Sequence, residues 1–215
     1  MLEIEIFSDV ICPWCFIGKR RLDRALTGSL GEGISLRWRP YLLYPNVPEE
    51  GVNRAALLRQ RYGEDADTAR VPQRILDEAK DEGIALRYDL IETTPNTRLA
   101  HCLLEYAHTQ GLQHELAEAL FLAYFCHGRD VGDAATLVAI AGETGLSREG
   151  AEQYLVEGFG MNEVSAQLAR APELGISGVP GYFLASSFLL PGAQTSDVMG
   201  QIIGRVKEKL ALREG

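Results

Sequence analysis

The chain opens on an alternation. Leu2, Ile4 and Ile6 stand against Glu3, Glu5 and Phe7 over residues 2–7, a period of two that predicts a β-strand. Residues 13–27 lose that period. Pro13 suits the first turn of a helix, where its missing N–H costs nothing, and Gly28 and Gly31 mark the exit. "ISLRWRPYLL", residues 34–43, predicts a second strand. Two strands flanking a helix make a crossover unit, so the pair is expected to be parallel.

After Pro45 and Pro48 the pattern changes, and from about residue 53 to residue 171 it is mostly helical. Leu99, Cys102, Leu103 and Tyr106 mark an apolar face at i, i+3, i+4 and i+7; Leu116, Ala119, Leu120, Ala123 and Tyr124 mark another. Asp133 predicts the N-cap of a helix ending at Gly145, and Met161, Val164 and Leu168 predict one ending near Pro172. Strand patterning returns in "YFLASSFLLPG", residues 182–192, a hairpin with Ser186 and Ser187 near its turn. Val198, Ile202, Ile203, Val206 and Leu210 stripe a last helix. The layout predicts an α/β fold in which residues 1–47 and 172–215 form two parts of one domain. Residues 48–171 form an all-helical insertion.

Composition narrows the function. With 215 residues, 46% of them hydrophobic and 24% charged, the chain has the make-up of an ordinary globular protein. Its net charge of −9 argues against binding a phosphate backbone, which needs a cationic surface. No apolar run reaches the ~20 residues of a membrane span. The first residues lack the basic-then-apolar pattern of a secretory signal, so a cytoplasmic location is expected. There thiols stay reduced, and the four cysteines are unlike a disulfide framework. A close pair in that setting is catalytic or metal-binding.

That close pair is Cys12-Pro13-Trp14-Cys15, placed where the first strand gives way to the first helix. A sulfur at that point sits among unsatisfied backbone N–H groups at the positive end of the helix dipole, which favours thiolate over thiol. Cys12, the outer residue, reads as the nucleophile, and Cys15, more buried, as the thiol that resolves a mixed disulfide. Pro13 shapes the turn and Trp14 offers an apolar surface beside the sulfur. A zinc site would need four ligands. Cys102 and Cys126, beside His101 and His127, read instead as packed core thiols, so no bound metal is expected. His101, His108 and Glu105 form the polar stripe of one helix and read as a solvated face. Asp9 reads either as a backbone cap or as a proton-transfer group.

Late in the chain, "GISGVPGYF" at residues 175–183 places Val179 and Pro180 just ahead of a strand. Together, "FSDVICPWCFIGKRRLDRAL", "WRPYLLYPNVPEEG", "NTRLAH", "EALFLAYF", "SGVPGYF" and "LPGAQ" resemble the DsbA-like branch of the thioredoxin superfamily, specifically its FrnE-like subgroup. The resemblance spans nearly the whole chain. It implies a thioredoxin fold with a helical insertion, and disulfide oxidoreductase or isomerase activity carried by Cys12 and Cys15. It further implies a cis bond before Pro180 opposite the cysteines, with the Val179 backbone open to an extended substrate. Asn96 and His101 are implied to lie near the cleft.

The partners it implies are protein or small-molecule thiols and disulfides, with glutathione or another thiol as co-substrate and no bound cofactor. Apolar faces of the insertion suit either an internal core or a homodimer interface. Two departures matter. Thioredoxin carries a buried acid where this chain has Ile6, so that proton acceptor is missing. The related 2-hydroxychromene-2-carboxylate isomerases and kappa-class glutathione transferases usually carry serine in place of Cys12. Having both cysteines favours dithiol exchange over their glutathione-dependent chemistry. A redox-sensing or chaperone-like binding module is the third reading.

Overall fold

The computed structural model describes residues 1–65, 67 and 71–214, with side chains as far as residue 212. Strand β1 (Leu2–Ser8) runs parallel to β2 (Ile34–Pro40), in register from Leu2 opposite Ile34 to Ser8 opposite Pro40. Between them lies α1 (Pro13–Ala25), which makes the crossover expected from the sequence. The second strand ends at Pro40 and not at residue 43, because the chain then turns away and the Tyr41 N–H donates to the Ser8 carbonyl at 3.0 Å.

Strands β5 (Gly181–Leu184) and β6 (Phe188–Pro191), from the far end of the chain, complete the sheet in the order β2-β1-β5-β6. β5 runs antiparallel to β1, Ile6 opposite Tyr182, and pairs with β6 through the predicted hairpin, whose turn holds Ala185 and Ser186 at positive φ. Helix α9 (Ser196–Glu214) packs beside α1. The two chain ends therefore build one sheet with helices against it.

Between β2 and β5 run α2 (Arg54–Tyr62), α3 (Gln73–Asp81), α4 (Arg98–Thr109), α5 (Gln113–His127), α6 (Ala134–Glu143), α7 (Arg148–Val156) and α8 (Met161–Glu173). Asp133 caps α6, its carboxylate accepting from the Thr136 N–H at 2.8 Å. A two-residue ladder, β3 (Val52–Asn53) with β4 (Thr93–Thr94), closes the segment between α2 and α4. Its length is below anything a periodicity could signal.

β1 corrects the simple picture of an alternating strand with a wet side. Only Glu3 is exposed within it; Glu5 is buried like its apolar neighbours. The Ile4–Ile6 side faces the main core with α1 and α9. Phe7, on the other side, packs with Ala171, Ile176 and Phe183. A central strand covered on both faces must neutralise any acid it carries. Here Arg39 of β2 and Arg170 of α8 both donate to Glu5, at 2.7 Å each. That cluster ties the last helix before the hairpin to the middle of the sheet.

Candidate active site

Cys12 is the N-cap residue of α1, with extended backbone (φ −94°, ψ 114°), and Pro13 occupies the first helical turn. The Cys12 carbonyl accepts from the N–H groups of Cys15 and Phe16, so the first turn forms around the pair. Both cysteines are free thiols, 3.3 Å apart. Cys12 is 3% exposed and Cys15 1% exposed. The outer sulfur is therefore less open than its position suggested. The reason is the loop ahead of β5: the Val179 carbonyl lies 3.8 Å from the Cys12 sulfur. The Val179–Pro180 peptide bond is cis, and Pro180 is buried while Val179 stays partly exposed. Burial, then the neighbouring Cys12, pushes the Cys15 thiol well above its ordinary value.

Residues of the helical segment cover this corner. Trp14 is half-buried with the Arg74 guanidinium 5.4 Å above its ring, and the Arg54 guanidinium lies 5.0 Å above the Tyr88 ring. Burial raises the Tyr88 phenol, and the charge of Cys12 adds to the effect. Alongside, a trough of about 270 Å³ follows the chain from Gly175 to Gly181 and is closed by Leu189 and Pro191. It shares Gly175, Ile176 and Ser177 with a larger hollow of about 490 Å³ that Tyr41 and Arg98 also line.

The remaining predicted residues are placed differently. The Asn96 side-chain N–H donates to the Val47 carbonyl at 2.7 Å and its oxygen accepts from the Arg98 N–H at 3.0 Å, so both ends of the amide are engaged by backbone. The stripe of His101 and Glu105 is not solvated. They are 2% and 6% exposed, because α4 packs on β2 as well as on α5, α7 and α8. Glu105 pairs with Arg37 of β2, and His101 Nε2 donates to the Tyr41 carbonyl at 3.2 Å; His108 alone of the three is exposed. Cys102 is a core thiol against Met161, 3.2 Å away, whereas Cys126 is only half-buried.

Asp9 is fully buried and acts as a backbone cap, its carboxylate accepting from the Leu43 N–H at 2.8 Å. His101 Nε2 lies 3.8 Å from the same carboxylate. Burial raises Asp9 from 3.8 to about 6, although hydrogen bonds from Leu43, Thr97 and Ile11 oppose the shift. Burial lowers His101 from 6.5 to about 4. A raised acid stabilises the fold below its unfolded value of 3.8, and that contribution is lost as pH rises through about 6. His101 has the opposite sign but is common to wild type and an Asp9 variant. Asp9→Asn is thus expected to gain about 2 kcal/mol of stability relative to wild type between pH 4 and pH 7. Urea denaturation of both proteins at the two pH values checks this; a pH-independent difference contradicts it.

A family model described as the DSBA-like thioredoxin domain matches residues 3–204. The chain belongs to that family. It is 24% identical over 210 residues to the uncharacterized protein YwbO of Bacillus subtilis, covering 97% of this chain and 98% of that one. Among solved structures it is similar to the probable DsbA oxidoreductase SCO1869 from Streptomyces coelicolor. That match has a TM-score of 0.84 at 28% identity, over 95% of this chain and 89% of the other. It also shares its fold with the cytosolic disulfide reductase DsbM from Pseudomonas aeruginosa, solved with GSH. There the TM-score is 0.68 at 17% identity, over 97% and 99% of the two chains.

Among the described residues no helix is long and apolar enough to cross a membrane. Three features of this corner escaped the sequence reading: the full burial of Asp9, and the hydroxyls of Ser8 and Tyr182 beneath the cysteines. Ser8 and Tyr182 lie on strands that meet only in the folded sheet.

Proposed function

We propose that the protein is a thiol–disulfide oxidoreductase or isomerase working through Cys12 and Cys15. The observation that carries this reading is the pair of free thiols, 3.3 Å apart at the start of α1, facing the Val179 carbonyl and Pro180. In the reducing direction the Cys12 thiolate attacks one sulfur of a substrate disulfide. A Cys12–substrate disulfide forms, and the other substrate sulfur leaves with the electron pair. Cys15, deprotonated, then attacks the Cys12 sulfur; the internal disulfide forms and the second substrate sulfur departs as thiolate. Two electrons pass to the substrate, and an external thiol restores the pair.

The trough along Gly175–Gly181 would take an extended substrate segment beside the partly exposed Val179 backbone. Trp14 and the helical segment would roof it. Because DsbM, of the same fold, was solved with GSH and is described as a cytosolic reductase, glutathione is the natural small thiol to test. A cytoplasmic location is the matching proposal.

The test is reduction of insulin by dithiothreitol, and of a glutathionylated peptide by glutathione, with wild type and Cys12→Ser. Catalysis of either by wild type and loss in the variant is expected. No catalysis of either, with turnover of 2-hydroxychromene-2-carboxylate in the presence of glutathione, would move the reading to the isomerase type. Activity on a client that survives Cys12→Ser would move it to a binding module.

A further inference from the structure

Two hydroxyls beside Cys15 have no partner. The side-chain oxygens of Ser8 and Tyr182 are both buried, and neither makes a hydrogen bond. They sit on neighbouring strands and on the same side of the sheet. Tyr182 stands opposite Ile6, and the alternation of β1 puts Ser8 on the Ile6 side. That side faces α1. A Cβ on Gly18 would collide with the Tyr182 hydroxyl and come within 3.1 Å of Pro180. Gly18 follows Cys15 by three residues, so the two share one helix face.

Each hydroxyl is also electrostatically tied to that sulfur. The Ser8 hydroxyl lies close enough to Cys15 to favour its ionised form through hydrogen bonding, yet falls short of a well-formed bond to the thiol. After burial, the charge of Cys15 contributes most to raising the Tyr182 phenol, which therefore keeps its proton and remains a donor. The other titratable groups in this environment are Cys12 at the start of α1, Arg21 and Asp23 further along it, and Asp9, whose backbone N–H also favours the Cys15 thiolate.

A buried hydroxyl without a partner is costly, and Ala or Phe would fill the same space without that cost. Donors of this kind gain a partner when the site changes charge. Here the change is inherent in the chemistry, since Cys15 must carry negative charge where burial opposes it. We infer that Ser8 and Tyr182 are positioning residues that donate hydrogen bonds to the Cys15 sulfur whenever it is charged. It is charged as leaving group when the internal disulfide opens, and as nucleophile when it closes. The inference rests on the exchange reaction proposed above. In the opening step an incoming thiolate bonds to the Cys12 sulfur, the Cys12–Cys15 bond breaks, and its electron pair leaves on Cys15. Both O–H bonds stay intact, and the Cys15 thiolate takes its proton afterwards from solvent.

The test measures single-turnover opening of the Cys12–Cys15 disulfide by dithiothreitol in wild type, Tyr182→Phe, Ser8→Ala and the double variant. Cys15 is titrated at 240 nm in a Cys12→Ser background. Opening is expected to slow about tenfold per donor removed, as for a hydrogen bond to a charged group. The Cys15 titration should shift to higher pH, while the melting temperature of the reduced protein stays level or rises. Wild-type rates and an unmoved titration would overturn the inference. So would a lowered melting temperature with unchanged rates, which would make the hydroxyls structural only. If wild type opens its disulfide yet turns over no substrate, the proposed function fails, and the variant rates still decide the role of the hydroxyls.

Discussion

Replacing Cys12 by serine is expected to lower thiol–disulfide exchange by more than about 10³-fold, to the uncatalysed level. A serine hydroxyl does not attack a disulfide at neutral pH, and nothing nearby can substitute. Cys15 is 1% exposed and its thiol is pushed well above its ordinary value by burial, so it reaches neither substrate nor thiolate form readily. Cys15→Ala separates the two steps. The variant keeps the Cys12 nucleophile but lacks the resolving thiol, so substrate should accumulate as a mixed disulfide on Cys12. Non-reducing electrophoresis and peptide mass spectrometry detect that adduct. An adduct on Cys102 or Cys126 instead, or full activity in either variant, would contradict the assignment.

The largest effect on stability is expected at Glu5. This carboxylate sits 3% exposed in the central strand and accepts from Arg39 at 2.7 Å and from Arg170 at 2.7 and 3.0 Å. Burial alone would raise it; hydrogen bonds from Arg170 and Arg39 more than reverse this and hold it below 4.5. Glu5→Gln keeps the shape but leaves two guanidinium groups facing a neutral amide. Breaking a buried pair from one side costs about 3 kcal/mol, measured as the loss of unfolding free energy in urea at pH 7. The sign with pH follows from the lowered value. Glu5 contributes fully above about 4.5, and its contribution fades as pH falls through the folded value, so the gap between wild type and variant should close in acid. A gap that stays constant as the pH is lowered until the protein unfolds would contradict a charge-based role for Glu5.

What was legible in the sequence was local or carried by resemblance. Pro13 after Cys12 marks a helix start, and the spacing of the cysteines puts both on its first turn; neither fact needs the rest of the fold. Val179 and Pro180 were recognisable from the motif around them. Long-range pairing was not legible. Ser8 and Tyr182 become neighbours only because β5 inserts beside β1, and the last strands give no hint of which edge they join.

The stripe of His101 and Glu105 failed for a related reason. Periodicity shows that a helix has a polar face, but not that β2 will cover it and supply Arg37 and the Tyr41 carbonyl as partners. Asp9 illustrates the same limit. A short polar residue before a turn reads as a cap, which it is, yet its complete burial depends on the 41–43 strap and on α4.

The most direct test of the account is a redox titration in graded glutathione buffers, quenched in acid, alkylated and mapped by mass spectrometry. The account predicts one two-electron transition confined to Cys12 and Cys15, with Cys102 and Cys126 alkylated as thiols throughout. A pair that stays fully reduced or glutathionylated at every ratio, or a disulfide involving Cys102 or Cys126, would contradict it.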